Sequence, residues 1–438
     1  MEQNNSSNSL STVDYPTLPG FDPLSQEFML DPGPLLAEAR ERQPVFFYPE
    51  LNYWVVTRFD DVQRVISDFR TFSSSAVDVL PVPENLQDRV RPDFYERSFL
   101  ASDPPIHTVS RKAANRAFTR TRTAQLEFDV EEISNELIDR FIQHGKCDLM
   151  DDFAYPLSIR TLARLIGLPD DDEQIQAYQE WAPDLVAVLT PKFPLNPDGS
   201  PPPATPMSAD ELHERFDRIG SARTFFAELI EERRREPRED LLSSMLNARD
   251  ADDEAALPDH VIITHMIELI TAGSSTTANL IGHVLKFLAE SPDQLAEVRG
   301  NPDLLANAVE EGLRRRGSTF GVFRLATEDV EIAGVTVPKG ALIWAAYAST
   351  GHDESHFKDP ARFDAHRGNA SEHLNFGKGR HFCMGAPLAR LETNTSIQLL
   401  LERIPTLSIP VDQPAEYAPS LIVPELLHLN AEWVSGES

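Results

Sequence analysis

Residues Phe376 to Arg390 read FGKGRHFCMGAPLAR, a glycine-loosened turn that delivers one cysteine, Cys383, to the start of an apolar helix. A lone intracellular cysteine, taken by itself, is most often a small buried hydrophobe. Here the backbone N–H groups that follow it, together with the helix dipole, favour negative charge on the sulfur. A thiolate so placed is a metal ligand or a nucleophile. A phosphate loop does not fit, because Gly377-Lys378-Gly379 lacks the GxxxxGK[ST] spacing and no Ser or Thr follows. Structural zinc does not fit either, because the sulfur has no CxxC or HxxxH companions.

Phe376, Gly377, Gly379, His381, Cys383, Gly385 and Ala389 stand at the positions of the motif FxxGxxxCxG, and through them the chain resembles the cytochromes P450 in their bacterial form. The resemblance implies a mainly α fold with minor β, in which haem b lies between a long distal helix and the cysteine loop. Cys383 is then the axial thiolate, the ligand type that favours cleavage of bound O2. It also implies that the haem propionates are met by His107 and Arg111 in DPPIHTVSRKAANRAF, Arg324 in GVFRLATEDV, and His381, since buried carboxylates require cations or strong donors. Phe376, Gly377, Gly385 and Ala272 complete the expected haem surround. Glu311 and Arg314 in VEEGLRRR match the family's ExxR pair, whose members share one helix face. With Arg362 of DPARFD they are expected to form a buried charge network that supports the cysteine loop. Gly351-His352-Asp353 departs from the Asn-Arg-Asp usual in the family.

Upstream lies the apolar run VIITHMIELITAGSSTTANLIGHVLKFLAE, residues 261–290. Its segment Ala272-Gly273-Ser274-Ser275-Thr276-Thr277 resembles the family's [AG]GxxT, which implies that O2 approaches over a small pair and that Thr276 assists proton delivery. The plainer reading is that these hydroxyls bond carbonyls one turn back and bend the helix. Ser275 stands where the family commonly has Asp or Glu. An alcohol cannot donate and regain a proton near neutral pH as a carboxylic acid can, so the relay is expected to run through water or another acid. Glu268, four residues before Ala272 and so about 40° round the helix, is a candidate for that acid or for a contact with a polar group of the substrate. Leu269, Ala272, Thr319, Phe320, Val322, Leu421 and Ile422 are the candidate pocket residues, and their mostly apolar character points to a largely apolar organic substrate.

The remaining chain is consistent with this centre. A net charge of −30, from 40 basic and 70 acidic residues among 438, argues against general nucleic-acid binding, which needs a basic footprint. Two cysteines build no disulfide framework and agree with a reducing, cytoplasmic setting. The polar start lacks the features of a signal peptide, and residues 1–20 read as a disordered tail before a single domain over 21–438. Val261 to Gly273, the most apolar segment, is interrupted by His265 and Glu268 and is shorter than the roughly 20 apolar residues of a membrane span. PVFFYPELNYWVVTR, residues 44–58, predicts a hairpin and Asp60–Phe69 a helix; Thr108–Asn247 is mostly amphipathic helix, and Val330–Tyr347 predicts a small sheet. Seven prolines between Pro191 and Met207 predict a lid-like loop.

The hairpin segment is similar to haem domains of fused, self-sufficient bacterial members. No reductase follows Glu392, so electrons are expected from ferredoxin and ferredoxin reductase. Lys378, Arg380, Arg111, Lys112, Arg116 and Arg120 are the candidate docking cations on the cysteine side. Two readings from other classes stand beside the monooxygenase: a haem-thiolate protein that binds gas or ligand without turnover, and a haem-free binding protein. Peroxide use or a non-oxygenating rearrangement is a further enzymatic alternative.

Overall fold

The computed structural model describes residues 15–115, 118, 125–192, 207–249, 256–410 and 415–434. The β-branched and aromatic runs flanking PELN pair as expected. Helix α1 (Gly33–Arg42) leads into strand β1 (Val45–Tyr48), which lies antiparallel to β2 (Tyr53–Val56) with Tyr48 opposite Tyr53. Helix α2 (Phe59–Ser67) follows, close to the predicted Asp60–Phe69. Strands β3 (Phe72–Ser73), β4 (Val322–Ala326) and β5 (Leu342–Ala345) complete a five-stranded sheet in the order β1-β2-β5-β4-β3. β5 runs parallel to β2 and antiparallel to β4, so the sheet joins distant parts of the chain.

Two expectations need correction here. Val330–Tyr347 does not form one sheet. Val330–Ile332 and Val335–Val337 make their own hairpin, while β5 leaves to pair with β2. The turn at Gly340, with φ 80°, redirects the chain between them. Residues 15–20 are not a loose tail either: the Tyr15 ring packs edge-on to Trp54 at 4.9 Å, and the Phe47 N–H donates to the Pro16 carbonyl at 2.7 Å. Residues 1–14, and residues 193–206 of the predicted lid, lie outside the described residues.

The main helices of the helical part are α3 (Ile106–Ala114), α4 (Glu127–Phe141), α5 (Tyr155–Ile166), α6 (Asp172–Val188), α7 (Ala209–Arg235), α8 (Asp259–Ala289), α9 (Leu305–Arg315) and α10 (Ala386–Arg403), with shorter ones between them. With 53% helix and 11% strand, the fold is mainly α with minor β. A helix that is apolar all round must be enclosed by others, and α8 is: α5, α6, α7, α9 and α10 pack around it. Its first half, with Ile262, Met266 and Ile270, shares a hydrophobic cluster with Leu162, Ile166, Phe216 and Phe226. Its second half, with Leu280, Ile281 and Val284, belongs to another, with Leu137, Phe153, Ile397 and Leu400. A third cluster, with Val45, Trp54, Ile343 and Phe357, sits on the sheet. No helix among the described residues is long and apolar enough to cross a membrane.

Candidate functional site

The cysteine loop is shaped by Gly377 and Gly379, at φ 70° and 71°, a left-handed conformation that disfavours any side chain. The Cys383 N–H donates to the Phe376 carbonyl at 2.8 Å and closes the loop. The chain then enters α10 through Gly385. Burial pushes the Cys383 thiol up, while the N–H groups of Gly385 and Ala386 and the Arg111 guanidinium act against it. A metal ion opposite the sulfur would tip that balance fully to the thiolate. Cys147, the other cysteine, is buried on a separate strand, and both are free.

Four donor side chains gather beside the loop. His107, on α3, and His381 face one another with ring centroids 4.1 Å apart, and the Ser74 hydroxyl meets His381 Nε2 at 2.9 Å. Arg111 donates to the Phe382 carbonyl at 2.5 Å. Arg324, on β4, is buried and donates to the neighbouring Phe323 carbonyl at 2.8 Å. Burial, reinforced by the surrounding guanidinium charge, pushes His107 down to about 4 and His381 down to about 2. Burial also lowers Arg324 and Arg111. His107 is only 3% exposed, yet its Nε2 has no hydrogen-bond partner. An orphaned buried ring nitrogen beside crowded cations is costly unless an acceptor with negative charge comes to it. The carboxylates of haem are such acceptors, so the residues present fit that group.

Between Val261 and Leu285, every residue of α8 is buried except Ala272, Gly273 and Thr276. Ala272 and Thr276 share one face of the helix and mark an opening in its middle, while Leu162 packs over Gly273, where a Cβ would meet its Cδ1 at 2.5 Å. Thr276 Oγ1 donates to the Ala272 carbonyl at 2.6 Å, the back-bond foreseen as the plainer reading. The Ser318 hydroxyl donates to the Thr276 carbonyl at 2.5 Å. Of the candidate pocket residues, Ala272 is exposed, Thr319, Val322, Leu421 and Ile422 are half-buried, and Leu269 packs into the first-half cluster. Phe320 is a correction: it turns into the core, edge-on to Phe28 at 6.0 Å and beneath Arg316.

Glu268 is another. One carboxylate oxygen accepts the Ser98 hydroxyl; the other accepts the Phe99 N–H at 3.1 Å and lies 3.1 Å from His265 Nδ1. The face of α8 it occupies is covered by Ser98 and by Phe99, whose ring stacks on His265 at 3.7 Å, so Glu268 anchors that segment instead of standing free as an acid.

The charge network supporting the loop also differs in one member. Glu311 accepts Arg314 Nε and Nη2 at 2.7 and 2.8 Å, and it accepts Arg367 Nε at 3.0 and 3.1 Å. Arg367 therefore takes the place expected for Arg362, whose side chain is exposed and which contributes its carbonyl to Arg314 at 3.2 Å. A second anchor was not foreseen. Glu310 accepts Arg390 Nη2 at 2.9 Å and lies 3.3 Å from His373 Nε2, joining α9 to both flanks of the cysteine loop. Burial opposes its charge, but Arg390 and His373 hold it down at about 2.

A sulfur held by backbone donors, a cradle for two carboxylates and a helix opened at one small-residue turn define a haem-thiolate protein. The pattern described as Cytochrome P450 matches residues 81–427. Cytochrome P450 107B1 of Saccharopolyspora erythraea is 34% identical over 91% of this chain and 93% of its own length. The 6-deoxyerythronolide B hydroxylase of the same organism is 33% identical over 89% and 92%. An intact type IV self-sufficient cytochrome P450 monooxygenase superposes with a TM-score of 0.82 at 30% identity, covering 95% of this chain and 53% of that one. The chain belongs to the cytochrome P450 family. It is a haem b-dependent monooxygenase that acts on a small organic substrate with electrons from a redox partner.

Proposed function

We propose that this chain works as one catalytic domain that hydroxylates a largely apolar molecule held against α8. The observation that carries this reading is the opening at Ala272 and Thr276 in an otherwise sealed helix. When bound, haem supplies the iron at which O2 is reduced, and its thiolate ligand favours O–O cleavage. His107, Arg111, Arg324 and His381 hold the propionates, and Phe376, Gly377, Gly385 and Ala272 approach the macrocycle. Thr319, Val322, Leu421 and Ile422 shield the substrate from water. The relative named 6-deoxyerythronolide B hydroxylase supports hydroxylation as the reaction.

Thr276 is assigned to proton delivery, since its hydroxyl is the polar side-chain group at the opening. Thr276→Ala is expected to lower the ratio of product to NAD(P)H consumed severalfold and to raise hydrogen peroxide release. An unchanged ratio would remove Thr276 from the mechanism.

The electron donor is assigned as a separate ferredoxin, served by its reductase, in the cytoplasm. Lys112, Lys378 and Arg380 are exposed on the cysteine side around Phe382, itself 43% exposed. Apolar contact ringed by cations suits an acidic partner, on a chain whose overall charge would otherwise repel it. Arg116 and Arg120 lie outside the described residues. Reduction by an acidic ferredoxin should slow steeply as salt rises; a rate indifferent to ionic strength would exclude this docking mode.

A further inference from the structure

Asn279 is wholly enclosed on α8, and its neighbours Ala278, Leu280, Ile281 and Val284 all belong to the second-half cluster. A buried amide costs free energy unless its donor and acceptor are both met. A leucine would fill such a place without that demand. Asn279 meets the demand on the far end of the chain.

Its Nδ2 donates to the Pro424 carbonyl, and its Oδ1 accepts the Leu426 N–H, each at 2.9 Å. These two groups flank Glu425 on one edge of strand β6 (Glu425–Leu426), whose other edge pairs with Tyr417–Ala418. The side-chain amide thus does for β6 what the peptide group of a neighbouring strand would do. Gly282, one turn further along α8, leaves the room Leu426 needs, since a Cβ there would meet Leu426 Cδ2 at 2.9 Å. From α5, the Tyr155 hydroxyl donates to the Leu426 carbonyl at 3.3 Å. Residues 420–424, which lead into β6, are tied at their other end to the sheet. The Phe320 N–H donates to the Ile422 carbonyl at 2.8 Å, and Trp344 Nε1 donates to the Leu421 carbonyl at 3.0 Å. Two residues before Phe320, Ser318 holds the Thr276 carbonyl at 2.5 Å. Leu421 and Ile422, both half-buried, therefore hang between the sheet and α8. Asn279 stands three residues past Thr276, about 4.5 Å of helix rise.

We propose that Asn279 is a positioning residue for the substrate: its two hydrogen bonds fix Leu421 and Ile422 as a wall beside the opening at Ala272 and Thr276, and so set the size of group admitted there. The inference rests on the reading above that Leu421 and Ile422 shield the substrate. Without the clamp, the Pro424 carbonyl and the Leu426 N–H are left buried and unpaired. They regain partners where the turn draws away from α8 and water enters. The wall then retreats. A guest that touched it loses contact, and a guest too small to reach it does not.

The test uses the haem-loaded full chain and two probes that ligate iron through the same ring nitrogen, imidazole and 4-phenylimidazole, read by their optical shifts. The phenyl ring reaches the wall and imidazole alone does not. Asn279→Leu removes both hydrogen bonds and should weaken 4-phenylimidazole at least about fivefold, while imidazole changes by less than about twofold. Asn279→Asp keeps the acceptor for the Leu426 N–H and loses the donor to Pro424, so it should give an intermediate loss. Ile422→Ala should weaken 4-phenylimidazole in the wild-type chain and add little in Asn279→Leu, as expected for one shared wall.

Equal losses for both probes would make Asn279 a support of the fold at large and overturn the proposal. So would affinities that Asn279→Leu leaves unchanged or, should that variant fail to fold, affinities that Asn279→Asp leaves unchanged. The two readings fail in different ways. If Ile422→Ala alters 4-phenylimidazole binding and the Asn279 variants do not, the pocket stands and the role of Asn279 falls. If Ile422→Ala has no effect either, Ile422 is not part of the pocket and both fall.

Discussion

Replacing Arg314 with alanine is expected to yield protein that purifies without haem and unfolds at markedly lower denaturant. All five guanidinium N–H groups of Arg314 are used: two on Glu311 and three on the carbonyls of Gly351, Pro360 and Arg362. Both members of the pair are fully enclosed. Removing one partner of such a pair costs about 3–5 kcal/mol, because the other charge stays buried with less compensation. Against a total stability of about 5–15 kcal/mol, that is a large fraction. Arg367 remains on Glu311 and softens the electrostatic loss, but it cannot replace the bonds to Gly351 and Pro360 that hold the chain leading into the cysteine loop. Arg314→Lys should behave nearly as badly, since an ammonium has three donors for five acceptor sites and no planar fork. Haem content and a urea titration read both effects. Normal haem content in Arg314→Ala would show that the loop does not depend on this network.

Cys383→Ser is expected to abolish oxygenation while leaving a haem protein. The residues proposed to hold the propionates stand on α3, β4 and at His381, and none of them hydrogen-bonds to the sulfur. The reduced, carbon-monoxide-bound spectrum should therefore lose its strongly red-shifted Soret band and keep an unshifted one, with no oxidised product formed. A red-shifted band in Cys383→Ser would mean that another group ligates the iron, and the assignment of the loop would fall. The wild-type spectrum is the companion measurement. There the red shift depends on a thiolate, which the N–H groups of Gly385 and Ala386 help to stabilise.

The cysteine loop was legible in the sequence because its chemistry is local: two glycines, one sulfur and a helix start stand within a few residues. That His107, Arg111, Arg324 and His381 belong together was legible from their residue types at motif positions. Arg362 was misjudged for Arg367 because that stretch is irregular and has no periodicity to say which cation turns inward. Glu268 was misplaced because helix spacing gives its angle from Ala272 but not which segment covers that face. Phe320 fails as a pocket residue for a similar reason, being drawn into the core by Phe28 and Arg316. The clamp of Asn279 on the strand at 425–426 was out of reach altogether, because it depends on where a two-residue strand from the chain's far end settles. The hairpin of β1 and β2 was plain from its alternation, whereas the pairing of β2 with β5 depends on contacts no local pattern records.

The division of α8 between two hydrophobic clusters has a dynamic consequence. The break between them falls at residues 271–277, the turn where the helix is also open. Contacts within a cluster are lost and regained together, while those across a boundary are not. The half of the molecule built from α5, α7 and the start of α8 can thus breathe without loosening the half that includes the end of α8 and most of α10. Admitting a bulky guest then strains the first cluster, and Met384 and Leu388, which follow Cys383 and pack into that cluster, carry the strain to the cysteine loop while the second cluster keeps its geometry.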